Sequence, residues 1–445
     1  MIIEPGKNKE PRIAGPIQDH YDCLVIGAGP GGGTTAALVA QKGWKTLLVE
    51  REAVPRFHVG ESLMPETYWT FERLGVLDDF KNIAFTKKYG VQFVSSDGKE
   101  STPFVFAKHD PRPCSETWHV ERADFDCLLF DTAAKNGADC RDMTRVMDVQ
   151  LSDTGVHHVT LQTSEGQRQT VTADVVVDAS GQQAMIASRL GLKQIDPSLK
   201  KAAIWGYFEN AKRNPVGEAE VTCILHTCDK EAWFWYIPLR DGSVSVGVVA
   251  DNDYLLKSGK SPEEMFQWQR ERCEGIKRRM EGSEIKGDLK VAKEFSYTTS
   301  QRAGRGWVLV GDAYGFIDPV YSSGVFLALK SGEMAADAID EGLRKKDLSA
   351  EQLSGWVEEC DAGIVWIRKL VHAFYCNEFS FGSFMKSFPQ HAGNLTDLLV
   401  GKVFDGQPGK IFGDMDPWMA KVKEMTEQSM KGMSESDSES CAKTM

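Results

Sequence analysis

The order of apolar and polar positions divides the chain clearly. Residues 1–19 are polar and hold three prolines, which predicts a flexible arm. From Tyr21 the pattern changes. Cys23-Leu24-Val25-Ile26 is a short, unbroken apolar run of the kind a strand buried on both faces shows. A glycine-rich stretch follows, and then Thr34 to Lys42 is rich in helix formers and stops at Gly43. Thr46 to Val49 is a second apolar run, which closes a strand–helix–strand unit at Glu50. Further on, 91–107 reads as antiparallel strands about a turn at Asp97-Gly98, and 123–136 as helix. The segments 143–151, 156–163 and 168–177 read as strands, and 202–250 as a sheet of longer ones. Residues 262–281 are charged and helical, Trp307 to Val310 is another buried strand, and helix is expected from 324 onward. No internal repeat is visible.

These elements predict an α/β protein with a Rossmann-like core assembled from two distant segments, 20–190 and 301–345. An antiparallel β-rich lobe over 191–300 lies between them, with some strands inserted in the first core segment. A helical region over 346–433 follows, and the hydrophobe-poor end, 434–445, is expected to be disordered.

Composition narrows the function classes. The chain has 445 residues, 42% of them hydrophobic, which is ordinary globular usage. Its formal charge of −12 argues against an extended nucleic-acid or anionic-membrane surface, since both need excess Lys and Arg. Ten cysteines are scattered singly, with no CxxC and no following His pair, so neither a zinc site nor a disulfide scaffold is expected. No apolar run is long enough to span a bilayer, and a cytoplasmic protein with reduced thiols is the expectation.

The first chemical motif is Gly27-x-Gly29-x-x-Gly32, between an apolar strand and a helix, with Glu50 18 residues after Gly32. Gly27 permits the tight turn, Gly29 lets a pyrophosphate approach the backbone, and Gly32 lets helix and strand pack closely. The helix N-terminus offers N–H groups to phosphates, and Glu50 can accept from ribose hydroxyls. NAD and FAD both fit this motif. The ordered set Arg122 before a helix, Asp178-Ala179-Ser180-Gly181 after a strand, and Gly311-Asp312-Ala313 between strand and helix decides between them. That set resembles the FAD-binding family of p-hydroxybenzoate hydroxylase and its single-domain relatives. The resemblance implies that Asp312 meets the ribityl and pyrophosphate region and that Arg122 lies along the cofactor.

Three more motifs are specific. Trp233-Phe234-Trp235-Tyr236-Ile237-Pro238 is, on its own terms, an aromatic strand ended by proline. As WxWxIP it is similar to the signature of flavin-dependent halogenases. His58-Val59-Gly60-Glu61-Ser62-Leu63-Met64-Pro65 and the Pro319, Ser322, Gly324 spacing of Pro-x-x-Ser-x-Gly resemble two further stretches of that family. The resemblance implies an FADH2-dependent enzyme that uses O2 and chloride or bromide. A flavin C4a-hydroperoxide would oxidise the halide, and the resulting hypohalous acid would travel inward to an electron-rich aromatic substrate. It also implies a separate NAD(P)H-dependent flavin reductase, since only one dinucleotide fingerprint is present. Free and carrier-protein-tethered substrates both remain open.

In this family a lysine directs the oxidant. Counting back from Phe93-Val94 puts Lys88 at that position, with Lys87 as the alternative. Strand alternation turns the two to opposite faces, Lys87 with Tyr89, Val91 and Phe93, and Lys88 with Gln92. Ser323 and Gly324 are implied as the halide site. Trp233, Trp235, Ile237 and Pro238 would line the flavin and channel region together with Pro319 and Ser322. Tryptophan halogenases carry a glutamate just before the motif serine, whereas this chain has Tyr321. That departure resembles the phenol- and pyrrole-directed branch. His119 and His372 are candidate bases for a phenol proton, and the aromatic residues from Trp366 to Phe388 read as core or lid packing, with pocket lining as the alternative. The competing functions are a single-component aromatic hydroxylase and a flavin-binding protein with an inactive site.

Overall fold

Two sheets divide the work of the first of two compact units, Met1–Cys360 and Asp361–Met445. The structure, a computed structural model, describes Arg12 and residues 15–213, 220–404 and 406–442. Most of the expected arm lies outside the described residues. The part inside is fastened: Arg12 holds the Asp131 carboxylate at 2.7 Å, and Arg141 donates to Gly15 O at 2.9 Å.

The first sheet carries the glycine-rich turn at the end of its central strand. His20–Ile26 sits at its centre, with Arg168–Asp178 and then Trp307–Leu309 on one side and Thr46–Val49 and then Asp139–Arg141 on the other, all parallel. Its central residues Cys23, Leu24, Val25, Leu47, Leu48, Val175, Val176 and Val177 are fully buried, as unbroken apolar runs require. The segments before residue 190 and after 300 therefore pair directly, at Val176↔Trp307 to Asp178↔Leu309. Helix Pro30–Gln41 packs between Arg122–Lys135 and Ser323–Lys345.

The second sheet is larger than its expected 191–300 segment. Its order runs Gly315–Phe316, Glu284–Thr299, Lys193–Glu209, Val244–Asp251, Ala232–Pro238, Val221–His226, Gly90–Val94 and Phe104–Val105. Strands from 90–105 and 315–316 thus complete one lobe from sequence on both sides of it. Gly90–Val94 joins Val221–His226 in parallel, which a hairpin reading of 91–107 did not foresee. The second strand of that hairpin also ends early, because 106–109 makes a helical turn. The face of this sheet bearing Phe234, Tyr236, Val246 and Val248 forms a core with Phe266 and Ile276 of the covering helices.

In the second unit, Phe384 is fully buried and stacks on Phe388 at 5.0 Å and on His391 at 6.2 Å. Those rings serve as core there. The last helix is Phe412–Ala442. It takes in residues 434–442, where the composition predicts disorder; that stretch has no Pro or Gly to end a helix already begun. Residues 443–445 lie outside the described residues.

Candidate active site

A cavity of about 490 Å³ opens at the carboxyl ends of the parallel strands. This is where open α/β sheets bind ligands. Gly27, Gly29, Glu50, Arg122, Asp312, Trp235, Pro319, Ser322 and Gly324 all line it, so the first sheet, the WxWxIP strand and the Pro-x-x-Ser-x-Gly loop converge there. Ser323 faces a small neighbouring recess, together with Asp312, Asp318 and Gly324. Trp233, Ile237 and Pro238 are buried without lining the cavity, as is Tyr321. His372 belongs to the second unit, on the helix Val357–Phe374.

The glycines divide their roles as their spacing predicts. Gly27 has φ +98, and a Cβ there would lie 2.5 Å from Ala179 O. A Cβ on Gly32 would lie 1.9 Å from Gly27 O, so this glycine is needed for helix–strand packing. A Cβ on Gly29 would meet only the tip of Arg56, at 3.8 Å. Its open side faces the cavity, where a diphosphate needs close approach. The N-termini of Pro30–Gln41 and Ser323–Lys345 reach the same space.

Glu50 is buried; its carboxylate accepts from Ala28 N and Glu52 N at 3.1 Å each and pairs with Arg56 at 3.1 Å. Arg56 bridges onward to Asp126 at 2.7 Å, and Arg122 grips the same carboxylate at 2.8 and 3.0 Å. Arg122 also donates to Val59 O at 2.6 Å, fixing the loop before Glu61. Burial raises the Asp312 carboxyl to about 6 against the opposing pull of Arg122 and Lys193. Asp178 plays a local structural part, accepting from the Ser180 and Ile186 backbone N–H groups and so holding the Ala-Ser-Gly turn. The glycine cradle, the paired acids and Arg122 fit FAD, and these residues would hold it. Arg56 and Asp126 were missed from sequence because no motif marks them; they act through contact across the fold.

Lys88 and Lys87 lie on the short strand Thr86–Lys88, paired with Thr117–His119. Lys88 is 2% exposed. Its ammonium donates to Leu63 O at 2.7 Å and Ser62 Oγ at 2.9 Å, and Ser62 lines the cavity. Lys87 instead lies 3.6 Å from Glu116, over the Trp118 ring and half-exposed. Burial pulls the Lys88 ammonium down to about 7.

The WxWxIP strand meets the His58-to-Pro65 stretch twice. Trp235 Nε1 donates to Ser245 Oγ at 3.1 Å, whose hydroxyl lies 3.5 Å from Glu61 Oε1, which Tyr207 also caps at 2.7 Å. The Trp235 ring lies flat against Gly247, where a Cβ would intrude to 2.2 Å. At the second meeting, Ser62 Oγ contacts Thr222 Oγ1 at 2.8 Å, Thr222 contacts His119 Nε2 at 2.9 Å, and His119 Nδ1 contacts Pro238 O at 3.0 Å. His119 is fully buried with both ring nitrogens engaged. It cannot act as a base for a substrate phenol, and that expectation is corrected here.

Residues 20–345 match the family model described as FAD binding domain. A 1H-pyrrole-2-carbonyl peptidyl-carrier-protein chlorinase of Pseudomonas fluorescens is 29% identical over 92% of this chain and 95% of its own length. The corresponding brominase of Pseudoalteromonas luteoviolacea is 30% identical over 86% of this chain and 93% of its own length. Among solved structures, the flavin-dependent brominase Bmp2 superposes with a TM-score of 0.81 at 28% identity, over 90% of this chain and all of its own. The myxobacterial chondrochloren halogenase CndH gives 0.75 at 32% identity, over 80% of this chain and 83% of its own.

Proposed function

The chain belongs to the FAD-binding-domain family and, within it, to the flavin-dependent halogenases, and from that premise we propose that Lys88 delivers oxidised halogen to a pyrrole ring carried on a peptidyl carrier protein. The enzyme halogenates electron-rich aromatic rings and uses FAD. When bound, the reduced cofactor supplies with O2 the oxidising power that turns halide into an electrophile. The residues of this chain do the rest. Gly27, Gly29 and Gly32 admit the diphosphate, and Glu50, Arg122 and Asp312 orient the cofactor along the cavity. Ser323 and Gly324, at the N-terminus of a 23-residue helix, hold the halide with backbone N–H groups. Trp235 walls the cavity. Lys88 holds the oxidant from the other side of Ser62.

The observation that carries this reading is Lys88: a fully withdrawn amine, one hydrogen bond from a residue that lines the cofactor cavity. Tyr321 in place of an acid supports a ring that needs no carboxylate to stabilise its cationic intermediate. The two pyrrole-directed relatives match nearly end to end, which supports the tethered pyrrole.

Lys88→Ala tests it. With reduced flavin and halide supplied, the variant is expected to release hypohalous acid to a solution trap at the wild-type rate, yet to halogenate a pyrrolyl carrier protein at least ~100-fold more slowly, within the range a positioned acid–base or nucleophilic group contributes. Undiminished product from Lys88→Ala overturns the role of Lys88. Equal rates on free phenols and on the tethered pyrrole overturn the substrate.

A further inference from the structure

We propose that His119 is a positioning residue for Lys88: through Thr222 and Ser62 it orients a one-way chain of hydrogen bonds that makes Lys88 donate to Ser62 and leaves its remaining tetrahedral position to the oxidised halogen. The inference rests on the reading of Lys88 above.

The direction of the chain follows from what each group can do. Pro238 O is a carbonyl and only accepts, so His119 Nδ1 carries the hydrogen of that 3.0 Å contact. His119 is neutral, because burial and the charge of Lys88 hold its pKa well below the ordinary value. The charged groups facing it are Lys88 and Arg213, and Arg213 is itself held by Glu220 at 2.9 Å. Neutral imidazole with a protonated Nδ1 presents a lone pair at Nε2. Thr222 must therefore donate to Nε2 across 2.9 Å, and its oxygen receives the Ser62 proton across 2.8 Å. Ser62 is left with lone pairs alone facing Lys88 Nζ, and it accepts across 2.9 Å.

Lys88 spends its second N–H on Leu63 O. Those are its two hydrogen bonds among the described residues. The position left over holds an N–H in the ammonium and the lone pair in the amine; among the described residues it carries no hydrogen bond in either state, and the Phe106 ring centroid lies 5.5 Å from Nζ. Released from the chain, the Ser62 hydroxyl is free to turn and donate to Nζ. That reversal favours the amine and covers its lone pair. The proline of the WxWxIP strand thus gains a role through its carbonyl, which sets the polarity of four hydrogen bonds reaching the cavity. Ser62, Lys88, His119, Thr222 and Pro238 come from separate segments of the chain, so sequence spacing carries no trace of the arrangement.

Paired substitutions test it. Thr222→Val keeps the shape and removes the hydroxyl, whereas Thr222→Ser keeps the hydroxyl. His119→Phe removes both ring nitrogens, whereas His119→Gln keeps a donor and an acceptor. In cofactor-free protein labelled with ¹⁵N-lysine, with the Lys88 resonance assigned by its loss in Lys88→Arg, Thr222→Val and His119→Phe are expected to lower the Lys88 titration midpoint. The shift should be roughly half a unit or more, the size one net hydrogen bond supports. Product formed per hypohalous acid released should fall about tenfold in the same two variants and recover in Thr222→Ser and His119→Gln. Wild-type behaviour of either readout in a folded Thr222→Val or His119→Phe overturns the proposal, as does failure of both conservative variants to restore it. Lys88→Ala separates the two readings: if it abolishes transfer while Thr222→Val behaves as wild type, only the chain is refuted.

Discussion

Lys88 has four methylenes and an amine with 2% exposure, and its two partners are neutral oxygens. Taking a cation out of water without an opposing charge is costly, and the fold meets that cost by lowering the pKa from its ordinary 10.5 to about 7. The sign for stability follows. Between about 7 and 10.5 the unfolded chain binds a proton that the folded chain does not, so stability rises with pH across that window. Lys88→Met, similar in length and uncharged, is expected to remove this rise and to raise the melting temperature at pH 7, while abolishing halogen transfer. Thermal melts at pH 7 and 9.5 check both parts; a Lys88→Met protein less stable than wild type at pH 7 contradicts the account. A stabilising loss of function is the pattern expected where a strained group is kept for chemistry. Sequence alternation already separated Lys88 from Lys87, since a strand turns successive side chains to opposite faces. It could not supply the partners of Lys88, because Ser62 and Leu63 arrive from a loop 26 and 25 residues away.

At the scale of elements, the glycine turn was the most legible part of the chain. Its demands are local: a positive φ at Gly27, no Cβ at Gly32, open space at Gly29. These differences predict different failures. Gly32→Ala places a methyl 1.9 Å from a backbone oxygen and is expected to lower the melting temperature sharply, with loss of FAD binding as a consequence. Gly29→Trp is expected to melt within a few degrees of wild type while losing FAD binding at least ~100-fold, because its bulk enters the cavity and not the packing. Flavin fluorescence titration beside thermal melts distinguishes them. A Gly29→Trp protein with wild-type affinity contradicts the placement of the diphosphate. The β-rich lobe was less legible. Its own strands put alternate residues on opposite faces: Phe234 and Tyr236 enter the core with Phe266, whereas Trp235 lines the cavity. Its edges come from Phe104–Val105, beside Gly90–Val94, and from Gly315–Phe316, and no local pattern states which sheet a short strand joins. Register in a parallel pair such as Gly90–Val94 with Val221–His226 is decided by packing between segments 131 residues apart.

For the molecule as a whole, the prediction concerns the source of electrons. Among the described residues one strand–helix–strand unit carries the glycine fingerprint, and its cavity of about 490 Å³ is lined by the residues that fit FAD. Trp235, Pro319, Ser322 and Gly324 line the same cavity. A separate NAD(P)H-dependent reductase as the supplier of reduced flavin, which the resemblance implies, is directly testable. If a reductase is the source, stopped-flow absorbance with NADH or NADPH and the FAD-loaded protein alone should show flavin reduction at least ~100-fold slower than turnover, within the advantage that holding hydride and flavin together supplies. Addition of any competent flavin reductase, or of photochemically reduced FAD, should restore halogenation to the same maximum rate, because the chain needs the reduced cofactor and not the reductase itself. Rapid direct reduction by a nicotinamide would instead require a dinucleotide surface on this chain. A rate that depends on the identity of the reductase, at saturating reduced flavin, would show that the two proteins dock rather than exchange cofactor through solution.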